Sequence, residues 1–83
     1  MLQPNILKVI PMEKYRLRIE YETGEIKIFD VSPYINGEWF VELADEAYFK
    51  TVRVLPNGEG IEWYNGQDIA PHELYENAID YSH

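Results

Sequence analysis

The sequence predicts a single small α+β domain over residues 1–83, built mostly of antiparallel β-hairpins with two short helices. Three observations carry that expectation. Tyr15, Leu17, Ile19 and Tyr21 alternate with Arg16, Arg18 and Glu20, the period-two pattern of a half-buried strand. From Trp39 to Phe49 the apolar residues fall at 39, 40, 43, 44, 47 and 48, which is helical spacing. Asn57-Gly58 and Asn65-Gly66 stand beside β-forming runs, where an Asn-Gly step is a strong turn signal.

In chain order, Asn5 to Ile10 reads as a first strand ended by Pro11. A hairpin spans about residues 15–31. Glu22-Thr23-Gly24-Glu25 is its turn, and Ile26 and Ile28 alternate with Lys27 and Phe29 on the return. Arg16, Arg18, Glu20, Glu25 and Lys27 are expected on its wet face. Ser32 as N-cap and Pro33 at the first helical position start a short turn that Asn36-Gly37 stops. Residues 39–49 follow as one short amphipathic helix or two broken turns. Val52, Val54 and Leu55 form a brief strand, and Gly60 to Tyr64 return as its partner around a loop containing Pro56-Asn57-Gly58. After the Asn65-Gly66 turn, Pro71 opens a last helix with Glu73 near its positive end and Leu74, Tyr75, Ala78 and Ile79 as its apolar face. The resulting order is β-β-β-α-β-β-α.

Composition narrows the chemistry. Seven Tyr, three Phe and two Trp give a small core much area per side chain. There is no cysteine, so neither disulfides nor thiolate metal sites can hold the fold, and packing must. No signal peptide is visible at the N-terminus, and no run approaches the roughly 20 apolar residues of a membrane span. A cytoplasmic domain is expected.

The net charge of −8 is uneven. Residues 1–53 hold nine acids and all seven Lys/Arg, a balance of −2; residues 54–83 hold Glu59, Glu62, Asp68, Glu73, Glu76 and Asp80 with no Lys or Arg, a balance of −6. Such a field repels phosphate backbones and favours basic partners. Acidity for solubility alone is the plain alternative.

Catalytic parts are few. A Ser–His–acid site would need Ser32 and His72 to meet, and Ser32 reads better as a cap. No cofactor or metal is expected. Glu42, Asp45 and Glu46 share a helix face without a cation-binding loop around them, and the glycines are too dispersed to cradle phosphate. Glu62 and Asp68 bracket Trp63, the one arrangement that could serve carboxylate chemistry.

The pattern Ile61-x-Trp63-x-Asn65-Gly66-x-Asp68-Ile69-Ala70-Pro71-x-x-Leu74-Tyr75 resembles the DUF2442 family, a small bacterial domain of unknown function. Pro33-Tyr34, Gly37-x-Trp39-Phe40, Phe49 and the hairpin Leu17-x-Ile19-x-Tyr21-x-x-Gly24-Glu25-x-x-x-Phe29-Asp30-Val31 extend the resemblance over nearly the whole chain. It implies a compact α+β domain and no catalytic residues. It also implies small stand-alone proteins often encoded beside another small protein, in pairs that look like toxin–antitoxin arrangements; other members precede a helix-turn-helix domain. This chain ends at Tyr81-Ser82-His83, so a regulatory role would need a partner in trans.

The residues of the tail have a structural reading: Trp63 packs in the core, Asn65-Gly66 turns the chain, and Asp68 caps the turn before Pro71. Their functional reading is a recognition edge made of Glu62, Trp63, Tyr64, Asp68, Glu73, Tyr75 and Glu76. On this reading the protein is a non-enzymatic binding module, an acidic antitoxin-like partner of a small basic protein, with no direct contact to nucleic acid or membrane. The alternative is a small-molecule-sensing or carboxylate-based enzymatic domain with a pocket near Trp63. Homo-oligomers through an uncovered sheet edge are a third possibility.

Overall fold

A computed structural model describes residues 3–35, 37, 38 and 40–81. Asn36 and Trp39, to which the sequence assigned a helix stop and a helix start, lie outside the described residues. The fold is α+β, with two antiparallel sheets and two helices among the described residues.

The larger sheet has the order β1-β2-β3-β7: β1 is Ile6–Met12, β2 Arg16–Tyr21, β3 Ile26–Asp30 and β7 Ile79–Asp80. The smaller sheet, β4 (Arg53–Val54), β5 (Ile61–Glu62) and β6 (Asp68–Ile69), is an antiparallel meander. Helix α1 spans Glu46–Phe49 and α2 spans Pro71–Asn77; tighter 3₁₀ turns occupy Ser32–Tyr34 and Val41–Ala44. Residues 41–49 are therefore two broken turns rather than one helix. Asp45 separates them, accepting a bond from the Ala47 amide (3.0 Å) as the N-cap of α1.

Strand β1 does not stop at Pro11 but continues to Met12, with Pro11 opposite Leu17. An outer strand tolerates proline because one of its edges needs no ladder donor. The hairpin of β2 and β3 turns at Gly24, whose φ of 94° only glycine adopts without cost. Its facing differs from expectation. Leu17 pairs with Phe29 and Ile19 with Lys27, and the β2 members are fully buried, so Lys27 lies on the core face and Ile26 and Ile28 on the outer one. Phe29 and Val31, both buried, set that phase. Lys27 is accommodated because its ammonium lies over the Tyr75 ring, 4.4 Å from the centroid, and 2.8 Å from Asp80 Oδ1.

Ser32 is not a cap. Its amide and hydroxyl both donate to Asp30 Oδ1 (3.0 and 2.7 Å), so Asp30 organises that turn. Asp68 makes no cap bond among the described residues either: it lies in β6, and the residue before α2 is Ala70. Ile79 leaves the helix altogether, pairing with Ile28 as part of β7 with its side chain exposed.

The core lies between the sheets and the short helices and unites Leu17, Ile19, Phe29, Val31, Leu43, Phe49, Ile61, Trp63 and Leu74. The two sheets meet where the Ile6 amide donates to the Gly58 carbonyl (2.7 Å). A Cβ at Gly58 would come within 3.2 Å of the Ile6 oxygen, and its φ is 73°; backbone approach requires glycine there.

Candidate interaction surface

Directly after strand β5, two adjacent aromatic residues enter opposite environments. Trp63 is fully buried, its Nε1 donating to the Phe49 carbonyl (2.9 Å) and its ring centroid 6.0 Å from that of Phe49. Tyr64 is 80% exposed. Trp63 is the first residue after the strand and Tyr64 the first of the turn, and burial keeps alternating from Ile61 through Glu62 and Trp63 to Tyr64. The Gly66 amide donates to the Trp63 carbonyl (2.9 Å) and the Trp63 amide to Gln67 (2.8 Å), while Gly66 takes φ 97°. That is the geometry of a tight hairpin turn closed by a left-handed residue.

Side chains from the preceding turns hold this loop. Glu42 accepts from Asn65 Nδ2 (2.7 Å) on one carboxylate oxygen and from Gln67 Nε2 (2.8 Å) on the other. Tyr48 donates its hydroxyl to Gln67 Oε1 (2.5 Å) and accepts from the Asn65 amide (2.8 Å). The bonds from Asn65 and Gln67 hold the Glu42 carboxyl below its ordinary range. Glu42 is thus not a freely solvated helix-face acid but the anchor of the turn that presents Tyr64. Nothing in the local sequence announces this network, because Glu42 and Asn65 are 23 positions apart.

The other expected recognition residues divide into two groups. Glu62, half-buried, lies opposite both Arg53 and Asp68 in the small sheet and accepts from Arg53 Nε (2.9 Å) and from its terminal nitrogen (2.7 Å). Asp68 is exposed beside it, so two carboxylates face each other across one ladder position with a single guanidinium on the far side. On α2, Glu76 is exposed, but Glu73 accepts a short bond from the Tyr34 hydroxyl. Burial, followed by that bond, raises the Tyr34 pKa. Tyr75 donates to both oxygens of Glu25 (2.9 and 2.7 Å) and packs edge-on against Tyr21 at 5.2 Å. Burial pushes the Tyr21 hydroxyl up to about 12. Tyr75 and Glu73 therefore tie α2 to the large sheet and to the Ser32–Tyr34 turn. Trp63 cannot belong to an exposed edge, and Glu62 carries a local counter-charge; Tyr64, Asp68 and Glu76 remain open.

A pocket at Trp63 is not among the three cavities described. The largest, about 730 Å³, lies between the β1–β2 turn and α1 and has Phe49, not Trp63, in its wall. Among the described residues no cluster of three or more His, Asp or Glu side chains is arranged to hold a metal ion, and no helix is long and apolar enough to cross a membrane.

A family model described as a protein of unknown function (DUF2442) matches residues 6–80. The chain belongs to the DUF2442 family. The match runs from the first residue of β1 to the last of β7, so both sheets and both helices are part of the DUF2442 domain. Neither the curated proteins nor the solved structures searched contain a match to this DUF2442 chain.

Proposed function

We propose that the protein is a non-enzymatic binding module that holds a small basic protein in the cytoplasm, much as an antitoxin holds its toxin. The observation that carries this reading is Tyr64, a large ring 80% exposed on a turn whose other members are bonded in place. Tyrosine is over-represented among interface hot spots, and a pre-ordered loop loses less conformational entropy on binding. Asp68 adjoins the turn and Glu76 lies open on α2, within a segment, residues 54–83, that has six acids and no Lys or Arg. A negative field speeds encounter with a cationic partner, and an open ring face accepts a guanidinium.

The test begins with affinity capture from native cells at low and at high salt, with co-purifying chains identified by mass. Binding kinetics of the purified pair follow. Tyr64→Ala is expected to weaken binding by at least about tenfold, mainly through faster dissociation. Asp68→Lys with Glu76→Lys is expected to slow association and flatten its salt dependence. Unchanged kinetics in both variants would place the interface elsewhere. Capture of the chain alone at both salts would remove the charged-partner reading.

A further inference from the structure

We propose that the cleft between the β1–β2 turn and α1 binds a short apolar peptide, two or three residues long, through its free amino and carboxyl ends. This site is separate from the Tyr64 turn. Its volume of about 730 Å³ falls within the range of small-ligand clefts, roughly 300–1,000 Å³. Pro11, Tyr15 and Phe49 supply apolar wall.

The turn that forms one rim is strained. Lys14 (φ 61°, ψ 33°) and Tyr15 (φ 60°) are consecutive left-handed residues with side chains. Paired left-handed residues suit the twist of a hairpin, but Asn-Gly meets that demand without the Cβ clash. Here two long side chains occupy the positions, and both line the cleft. Tyr15 is fixed by its hydroxyl, which donates to the Ala44 carbonyl (2.5 Å), and by edge-on contact with Phe49 at 5.4 Å. Strain retained in the wall of the largest of the three cavities is a mark of a built site.

The charges on the rim select the ligand. Glu13 and Lys14 come from the turn, Glu46 and Lys50 from α1. None of the four joins an ion pair among the described residues. An apolar wall whose two rims each carry an acid and a base outside any ion pair matches a molecule with an apolar body and one charge of each sign. The peptide carboxylate would take a lysine and its ammonium a glutamate, as charge-assisted hydrogen bonds.

The experiment is an amide NMR titration of the isotope-labelled chain with the dipeptide Leu-Phe, its N-acetyl form, its C-terminal amide and the doubly blocked form. Saturable shifts confined to residues 12–15 and 46–50 are expected, with affinity falling about tenfold when either end is blocked. Lys50→Glu should weaken binding of the free dipeptide similarly; Lys50 is exposed, and the variant's own spectrum reports that it folds. No saturable shift up to about 10 mM, beyond the range of a useful affinity, would overturn the proposal. So would shifts centred elsewhere, or equal affinity for the free and doubly blocked peptides.

Discussion

In the larger sheet, three of the four strands run for five to seven residues and pair along most of their length. In the smaller sheet every strand has two residues and each pairing contributes two register positions. The first is held by a main-chain ladder with buried side chains beneath it. The second has too little ladder to stand alone; Trp63 below and the Glu42–Asn65–Gln67–Tyr48 network at its turn hold it instead. A sheet fixed by a few side chains can fix an exposed loop as firmly as a long ladder does, but single substitutions reach it more easily.

Trp63→Ala removes the main support of the smaller sheet. It removes a fully buried ring and leaves the Phe49 carbonyl without its donor. The expected loss is about 3–5 kcal/mol, most of the stability of a domain this size, read by urea denaturation. Gln67→Ala is next. Gln67 is fully buried and bonded to both Glu42 and Tyr48. Its loss should cost about 1–3 kcal/mol. Amide exchange should accelerate at Trp63 and Gln67 while the β2–β3 ladder keeps its protection. Equal acceleration in both sheets would show that they open together.

In the larger sheet the most local weakness is the β1–β2 turn. Lys14→Gly relieves a left-handed Cβ clash of about 1–2 kcal/mol, partly offset by the greater freedom glycine gives the unfolded chain. A net gain of about 0.5–1 kcal/mol is expected in the same denaturation experiment.

The smallest effect separates the sheets by pH. Hydrogen bonds from Tyr75 and Thr23 hold Glu25 below its ordinary value of 4.5, and those from Asn65 and Gln67 do so for Glu42. The unfolded chain therefore binds these protons more readily, so the contribution is present above about pH 4.5 and is lost as pH falls through the lowered folded values. Glu42→Gln should remove the acid-induced rise in exchange at the Trp63–Gln67 turn and leave that at the β2–β3 turn, where Glu25 sits. A rise undiminished at the Trp63–Gln67 turn would show that Glu42 is not its anchor.

The hairpins of the fold were legible because their cues are local. Gly24 sits where β2 turns into β3, and Asn57 in the β4–β5 loop accepts from the Glu59 amide (3.0 Å), a side chain closing a turn upon its own backbone. The helical spacing of residues 39–49 was legible too, but not that Asp45 would cap a second turn instead of continuing the first. The facing of Lys27 was misread because Ile26 and Ile28 look like a core stripe in isolation. Of the recognition residues, Tyr64 is exposed, Trp63 packs in the core as its structural reading had it, and Tyr75 is drawn into bonds with Glu25.

The sequence by itself determined the α+β class, the β2–β3 and β4–β5 pairs, the position of α2 and the concentration of negative charge in residues 54–83. These depend on periodicity, turn chemistry and composition, all of which act within a few residues. Tertiary structure decided which of two adjacent aromatic rings meets solvent, which acids are tied up by Arg53, Tyr34 or Asn65, and that Ile79 adds a strand to β3. Those outcomes depend on groups 9 to 53 positions apart, whose meeting is set by the packing of one shared core and not by any local pattern.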